Sequence, residues 1–448
     1  MRLSWPITLS TLSYSLMTLV DTLLVGGLGA AQLAGVGLGG TAAFALLCFS
    51  FGLLRGVKTL VSQAVGAGKR DEIGRYLGAA LLAAGAISAL TVVLGQVLAE
   101  ALTHISATAA AGDAARTYLR IRILGAPFAL GYVALREVRY AQGDARSPMK
   151  ATMIANGVNI ALAYVFVFHL HWGVGGAAVA TVIAHAVEIG VLALAQRAHG
   201  WNLSGTSARH LRELWHVGLP TGLQFTLEIG AFSILAALIA ALSEVQMAAH
   251  QIALQVIHFS FLPAFAVAEA ASVLGGQAVG ANRDDLVLRV ARIALWITGA
   301  YTALWTLLLA FGSPLIVAGF RPDAALAAQA VKLLHVAALF QVFDGANVVA
   351  RAVLRGAGDV RFAAWVGVLT SWIFTPPLTW LLGYHFGLGA FGGWLGLLAE
   401  IVAGAVVLWW RLERRTWVRS AEESRARLAA ARDGEAAPDP SVGEPVAA

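Results

Sequence analysis

Five consecutive residues, Gln63-Ala64-Val65-Gly66-Ala67, return 214 positions later as Gln277-Ala278-Val279-Gly280-Ala281. The same offset carries Pro6 to Pro220, Asp71 to Asp285 and Gly173-Val174-Gly175 to Gly387-Leu388-Gly389. With one residue of drift, Arg136 answers to Arg351, and Gly143-Asp144 with Arg146 to Gly358-Asp359 with Arg361. The chain is therefore a tandem duplication of a unit slightly over two hundred residues long, and each half must satisfy the same fold. Of its 448 residues 58% are hydrophobic and 12% charged, and the mean hydropathy is +0.74. Soluble domains carry roughly 25% charged residues, so the duplicated unit reads as a membrane bundle, an arrangement in which transporters place substrate between repeats. The single cysteine, Cys48, excludes an intramolecular disulfide and a cysteine-cluster metal site.

A helix needs about 20 mostly apolar residues to cross the hydrocarbon layer. Twelve such segments are present: 3–27, 33–54, 76–98, 118–141, 149–168 and 173–195 in the first half, then 214–242, 247–273, 287–311, 327–354, 360–382 and 388–410 in the second. The expected fold is an all-α integral membrane protein, twelve transmembrane helices in two six-helix lobes related by a parallel pseudo-two-fold repeat, because six spans return each half to the side it started from. The domains are a first lobe over 1–195, a linker over 196–216, a second lobe over 217–410 and a tail over 411–448. Lysine and arginine accumulate on the cytoplasmic side. One side holds 24 of them, from Arg2 through the loops to seven arginines after Trp410, against 5 on the other; Arg55 and Lys58, at the end of the second span, are set aside. Both termini and both QAVGA loops are thus expected in the cytoplasm of an inner-membrane protein. The same placement assigns the pI near 9.7 to topology, with no nucleic acid as partner. The linker, with Trp201 and Trp215, reads as an interfacial strap. The tail reads as a short basic helix at the lipid headgroups that ends disordered around Pro438 and Pro440. The first span is longer than a signal core and has a counterpart in the second half, so a retained helix is expected.

Gly35-Val36-Gly37-Leu38-Gly39-Gly40 matches a dinucleotide fingerprint, but neither strand nor βαβ unit surrounds it, and small residues at this spacing also let membrane helices approach. No Walker A sequence occurs, so ATP hydrolysis is not expected. Pro6 and Pro220 begin equivalent helices; they are candidate hinges, or first-turn prolines that cost little.

Ionisable side chains deep in a span are costly and mark function by default. Asp21 lies in the outer half of the first span, Glu228 near the middle of the seventh and Asp344 near the middle of the tenth. Such carboxylates can bind a proton or Na⁺, or draw in a cationic substrate. Asn156 and Asn159 share a face of the fifth span, and Gln224 and Gln341 accompany the later acids; amides there either join helices or line a substrate cavity. His185 and Glu188, three residues apart, can pair, and Glu400 is a weaker candidate acid. Glu137 and Glu269, close to helix ends, are expected to be solvated or paired with loops.

Trp5-Pro6, Val20-Asp21-Thr22 and Val25-Gly26-Gly27-Leu28-Gly29 resemble the first helix of MATE (multidrug and toxic compound extrusion) transporters. Leu219-Pro220, Glu228, Phe232, Ala248-Ala249-His250-Gln251, Gln341, Asp344 and Leu354-Arg355-Gly356-Ala357-Gly358-Asp359 extend the resemblance, which runs from Trp5 to Trp410 and points to the bacterial branch containing norfloxacin exporters. It implies a V-shaped pair of lobes that exports organic, often cationic compounds in exchange for Na⁺ or H⁺. By the same resemblance Asp21 is the first-helix acid linked to coupling, Glu228 and Asp344 are second-lobe cation-binding acids, and Asn156 and Asn159 are the polar positions of the fifth helix. Leu235 stands opposite Asp21 under the repeat offset, so the lobes are chemically unequal. The expected partners are a small organic substrate and membrane lipids, with a functional monomer, no cofactor beyond the coupling ion and no enzymatic activity. The alternative is a flippase for lipid-linked oligosaccharide, which calls for intramembrane cations, whereas the deep charges of the predicted spans are acidic. A membrane enzyme would need a convergent nucleophile and base, which the sequence does not offer.

Overall fold

Twelve helices long and apolar enough to cross a membrane build the chain in a computed structural model, which describes residues 3–106 and 108–433, the last three by backbone alone. Arg2 and the segment 434–448, expected to be disordered, lie outside the described residues. The first lobe contains α1 (Ser4–Gly26), α2 (Ala30–Gly66), α3 (Arg70–Ile105), α4 (Ala109–Arg122), α5 (Ala126–Ala141), α6 (Arg146–Tyr164) and α7 (Gly173–Arg197); α4 and α5 form one span across a 3₁₀ turn at Ile123–Gly125. The second contains α8 (Ala208–Ala240), α9 (Glu244–Gly280), α10 (Asp284–Ala318), α11 (Ala324–Gly356), α12 (Val360–Leu378) and α13 (Ala390–Glu413). Pairing every backbone group within its own segment is what lets a chain cross lipid, and no strand occurs among the described residues. Several starts carry their own acceptor: Thr108, Ser243 and Asp323 take backbone N–H bonds from Ala111, Gln246 and Leu326 at 3.2, 3.2 and 2.8 Å. The repeat reaches into irregularities. A π-helical turn at Val165–His169 closes the fifth span, and another at Thr379–His385 closes its counterpart, again 214 positions on.

The helices overrun the apolar stretches that announce them. α2 continues twelve residues past the expected end and α9 seven, so four of the five QAVGA residues form a last helical turn rather than a loop. Polar residues extend a span here because the other lobe buries them: Lys58, Thr59, Ser62 and Gln63 are all buried. Pro6 is the third residue of α1, in the first turn, whereas Pro220 is interior to α8 because that helix already begins within the predicted linker. The remaining strap packs on α3: a Cβ on Gly74 would fall 2.2 Å from the Asn202 carbonyl, and Arg209 reaches Glu72 at 2.9 Å.

The tail carries one further helix. Its helix α14 (Val418–Asp433) docks on protein, burying Trp417, Ala421, Ser424 and Leu428. Arg425 holds Asp284 at 2.7 and 3.2 Å, at the start of α10, and the Lys69 ammonium donates to the Leu428 carbonyl. One short helix therefore touches the ends of both lobes on the basic face.

Candidate functional site: the seam between the lobes

Most of the bonds and close approaches that join the lobes fall in the halves of the helices nearer the basic face. α2 and α9 meet through their repeated motif. A Cβ on Gly66 would lie 2.0 Å from the Gln277 carbonyl oxygen, and one on Gly280 would lie 1.9 Å from that of Gln63, so only glycine allows this approach. The Gln63 amide donates to the Gly356 carbonyl at 3.1 Å and the Gln277 amide to the Ala141 carbonyl at 2.9 Å. Positions 141 and 356 are related by the drifted offset of 215, so the two bonds are one interaction made twice about a pseudo-two-fold axis. The flanking crossings differ in composition. α2 meets α8 through glycines, with a Cβ on Gly218 only 2.2 Å from the Leu53 carbonyl. α9 meets α1 through Ile7, Ala266 and Val273, and Ser15 reaches His258 at 3.3 Å. Toward the opposite face Leu16, Leu19 and Leu23 of α1, Phe44 of α2 and Leu227 and Phe232 of α8 are exposed.

Charges sit just inside this seal. Arg55 bridges Glu269 at 3.0 Å, and the two occupy one repeat position, 214 residues apart. Lys58 also bonds Glu269 and lies 3.5 Å from Glu137, which pairs with Arg136 at 2.7 Å. The Arg55 guanidinium stacks 5.1 Å from the Phe225 centroid and 4.9 Å from that of Phe265; Arg355 stacks 5.5 Å from Phe225 and donates to Gln224 at 2.7 Å. This corrects two sequence expectations. Glu137 and Glu269 are buried rather than solvated, and the deep charges are not acidic alone: the helices run on past their predicted ends and carry Arg55, Lys58 and Arg355 into the seam, while Arg351, inside the predicted tenth span, pairs with Glu228. A usable signal existed: groups at equivalent positions meet where they lie close to a two-fold axis, and positions 55 and 269 carry opposite charges.

In the second lobe, Glu228 accepts from Arg351 and from the Gln224 amide, both at 2.8 Å. Asp344 lies seven residues before Arg351 on α11. Gln341 is spent on Ser260 at 2.8 Å, and Thr375 donates to Glu400 on α13. Gln224 and Glu228 thus share one neighbourhood with Arg351, and Gln341 stands one turn before Asp344 on α11. In the first lobe the buried Asp21 Oδ1 has no hydrogen-bond partner among the described residues. Asn156 donates to Ser13 on α1 at 2.7 Å, and Asn159 to Thr181 on α7 at 3.3 Å, so both amides join helices. His185 and Glu188 pair at 3.3 Å, and Glu188 also accepts from Thr152 at 2.7 Å. The structure therefore separates Asp21 from the second-lobe acids, and Leu235, opposite Asp21 in the repeat, is fully buried in apolar core.

Against known proteins, the MatE family model matches residues 6–165 and again 220–381, one match per repeat. The chain is 32% identical over 443 residues to a probable multidrug resistance protein NorM of Bradyrhizobium diazoefficiens, covering 93% of this chain and 94% of that one. It is 30% identical over 436 residues, with the same coverage, to a probable multidrug resistance protein NorM of Pseudomonas syringae pv. tomato. Among solved structures, the eukaryotic MATE transporter AtDTX14 superposes with a TM-score of 0.87 at 19% identity over 95% of this chain and 97% of that one. An outward-facing multidrug resistance MATE transporter of the MOP superfamily gives 0.81 at 20% identity over 96% of each chain.

Proposed function

The chain belongs to the MatE family, and from that premise we propose that it is a secondary antiporter exporting organic, cationic, drug-like compounds in exchange for Na⁺ or H⁺. The observation that carries this reading is the seam. Two parallel repeats close on one face through a self-complementary contact, the form of one state of an alternating-access cycle. With the basic face in the cytoplasm of the cell membrane, that state opens outward. Asp21 in one lobe, and Glu228 with Asp344 in the other, are the coupling acids of the proposal: each lies within a span, where occupancy by a cation changes a local charge that lipid does not screen. Gln224, Gln341 and Asn156 hold the helices that carry these acids, and Asn159 ties α6 to α7. Pro220, interior to α8 beside the seam, is the stronger of the two hinge candidates, since it removes a helical donor where the lobes must part. A single chain holds both lobes and the whole seam, so the transporting unit is a monomer. The oligosaccharide flippase is not favoured, since Arg55, Lys58, Arg351 and Arg355 are engaged by acids, Gln224 and Phe225 at the closed seam.

The test is efflux of a fluorescent organic cation from proteoliposomes, with Na⁺ and pH gradients imposed separately. Acceleration by at least one inward ion gradient is expected. Efflux that follows neither gradient would contradict antiport.

A further inference from the structure

Helices α10 and α13 both pack against α11 and leave a strip of it uncovered between them. The gap is an open groove of about 590 Å³, walled by Ala310 of α10, by Leu339, Val342 and Phe343 of α11 and by Phe391 and Leu395 of α13. Leu339 is 62% exposed. Two polar side chains interrupt the apolar wall, Thr306 and His335. Thr306 spends its hydroxyl on the Ala338 carbonyl at 3.1 Å, whereas His335 has no hydrogen bond or ion pair among the described residues. The groove reaches the face opposite the basic one, since Phe391 is the second residue of α13, which starts there. It turns away from Asp344, which lies about 140° round α11 from Leu339. Lys332 stands at its mouth. It is not part of the wall, but it precedes Leu339 by seven residues, almost two turns, and so shares the groove's face nearer the start of α11. Arg116 and Arg120, on the same side of the membrane, are paired with Glu100; the Lys332 ammonium has no partner among the described residues. From Lys332 to Phe343 is about 16 Å at 1.5 Å per residue, close to the roughly 15 Å depth of one leaflet.

From this we infer that the groove seats one phospholipid of the leaflet opposite the basic face, an acyl chain along Leu339, Val342 and Phe343 and the phosphate on Lys332. His335, between the two, donates to an ester carbonyl. Lipid tails are as apolar as the wall, so the chain alone brings no preference for one lipid over another. The preference comes from the mouth, where an unpaired lysine reaches along its stem to the headgroup level and favours an anionic lipid. The seated chain bridges α10 and α13 and completes the wall of the second lobe.

The test uses the purified full-length protein in detergent with phosphatidylglycerol as probe, without substrate or ion gradient, so its outcome does not depend on the antiport reading. Native mass spectrometry should find one phosphatidylglycerol retained at low lipid concentration. Lys332→Gln should weaken that binding about fivefold, the effect of one lysine near a charged surface, and Lys332→Arg should keep it. Leu339→Trp fills the groove away from the headgroup end and should also displace the lipid. Leu315→Trp, on the exposed surface of α10 outside the groove, should not. Inorganic phosphate should not compete, because headgroup and chain bind together. Binding unchanged by Lys332→Gln or by Leu339→Trp overturns the site, as does displacement of the lipid by inorganic phosphate.

Discussion

Arg55 and Glu269 are the same residue of the repeat, and evolution of the two copies has given them opposite charges that meet at 3.0 Å. Removing one member leaves the others buried with less compensation. Glu269→Gln should therefore lower stability by about 3–5 kcal/mol, read as unfolding in detergent, and the exchange Arg55→Glu with Glu269→Arg should recover part of that loss. A protein indifferent to Glu269→Gln would show that the pair contributes nothing. The proposed coupling acids call for a different readout. Asp21→Asn, Glu228→Gln and Asp344→Asn keep side-chain size and remove the titratable charge, so gradient-driven export should drop at least tenfold for the variants in the coupling lobe while membrane insertion persists. Loss from Asp21→Asn alone assigns coupling to the first lobe; loss from the other two assigns it to the second. Normal transport by all three would refute acid coupling. Outside the spans, Asp144 accepts from the backbone of Arg146 and Ser147, each at 3.0 Å, and pairs with Arg139. Burial pushes its pKa up, but the bonds from Ser147 and Arg139 outweigh burial and hold it below the ordinary aspartate value. Its contribution is thus fully present at neutral pH and is lost only as pH falls through that depressed value. Asp144→Asn should lower the Tm at pH 7 and leave it unchanged under strong acid, where the wild type has already lost the charge.

Helix ends were the least legible elements. Hydropathy marks where lipid requires apolar side chains, and all twelve spans are found there, but it says nothing of where a helix stops once another lobe covers it. Gln63 and Gln277 therefore read as loop residues and are helical, and Arg55 and Lys58 read as margins and are the core of the seam. Asp21, Glu228 and Asp344 were visible because charge inside an apolar run stands out. The Arg351 partner of Glu228 was not, because arginine near a span end passes for a topology signal. At this scale the glycine contact makes a sharp prediction. Gly66→Ala places a methyl 2.0 Å from the Gln277 carbonyl, so α2 and α9 must separate. Accessibility of a cysteine at Thr59 to reagent from the basic face should rise, whereas Gly68→Ala, at a position with open space, should strain its own turn without opening the seam. Helix α14 acts in the same place. Deleting residues from Val418 onward removes the Arg425–Asp284 and Lys69–Leu428 ties and should increase that accessibility too; an unchanged labelling rate would reduce α14 to a surface covering.

For the whole molecule, the duplication in the sequence implied two parallel lobes, and the structure adds where they touch: a contact about the pseudo-axis made by the most strongly repeated residues in the chain. The repeat is kept at the seam, through Gly66 with Gly280 and Gln63 with Gln277, and broken away from it, where the position of Asp21 is taken in the second half by Leu235. A symmetric gate can open and close on either partner, while unequal lobes give the coupling ion a preferred side. The account stands on that seam having to part in every transport cycle. A disulfide between Ala67→Cys and Ala281→Cys, adjacent to the glycine contact, in a Cys48→Ala background, tests this in proteoliposomes. Gradient-driven efflux should cease when the bond forms, while substrate binding from the open side persists, and reduction should restore transport. Undiminished efflux with the cross-link complete would contradict the account.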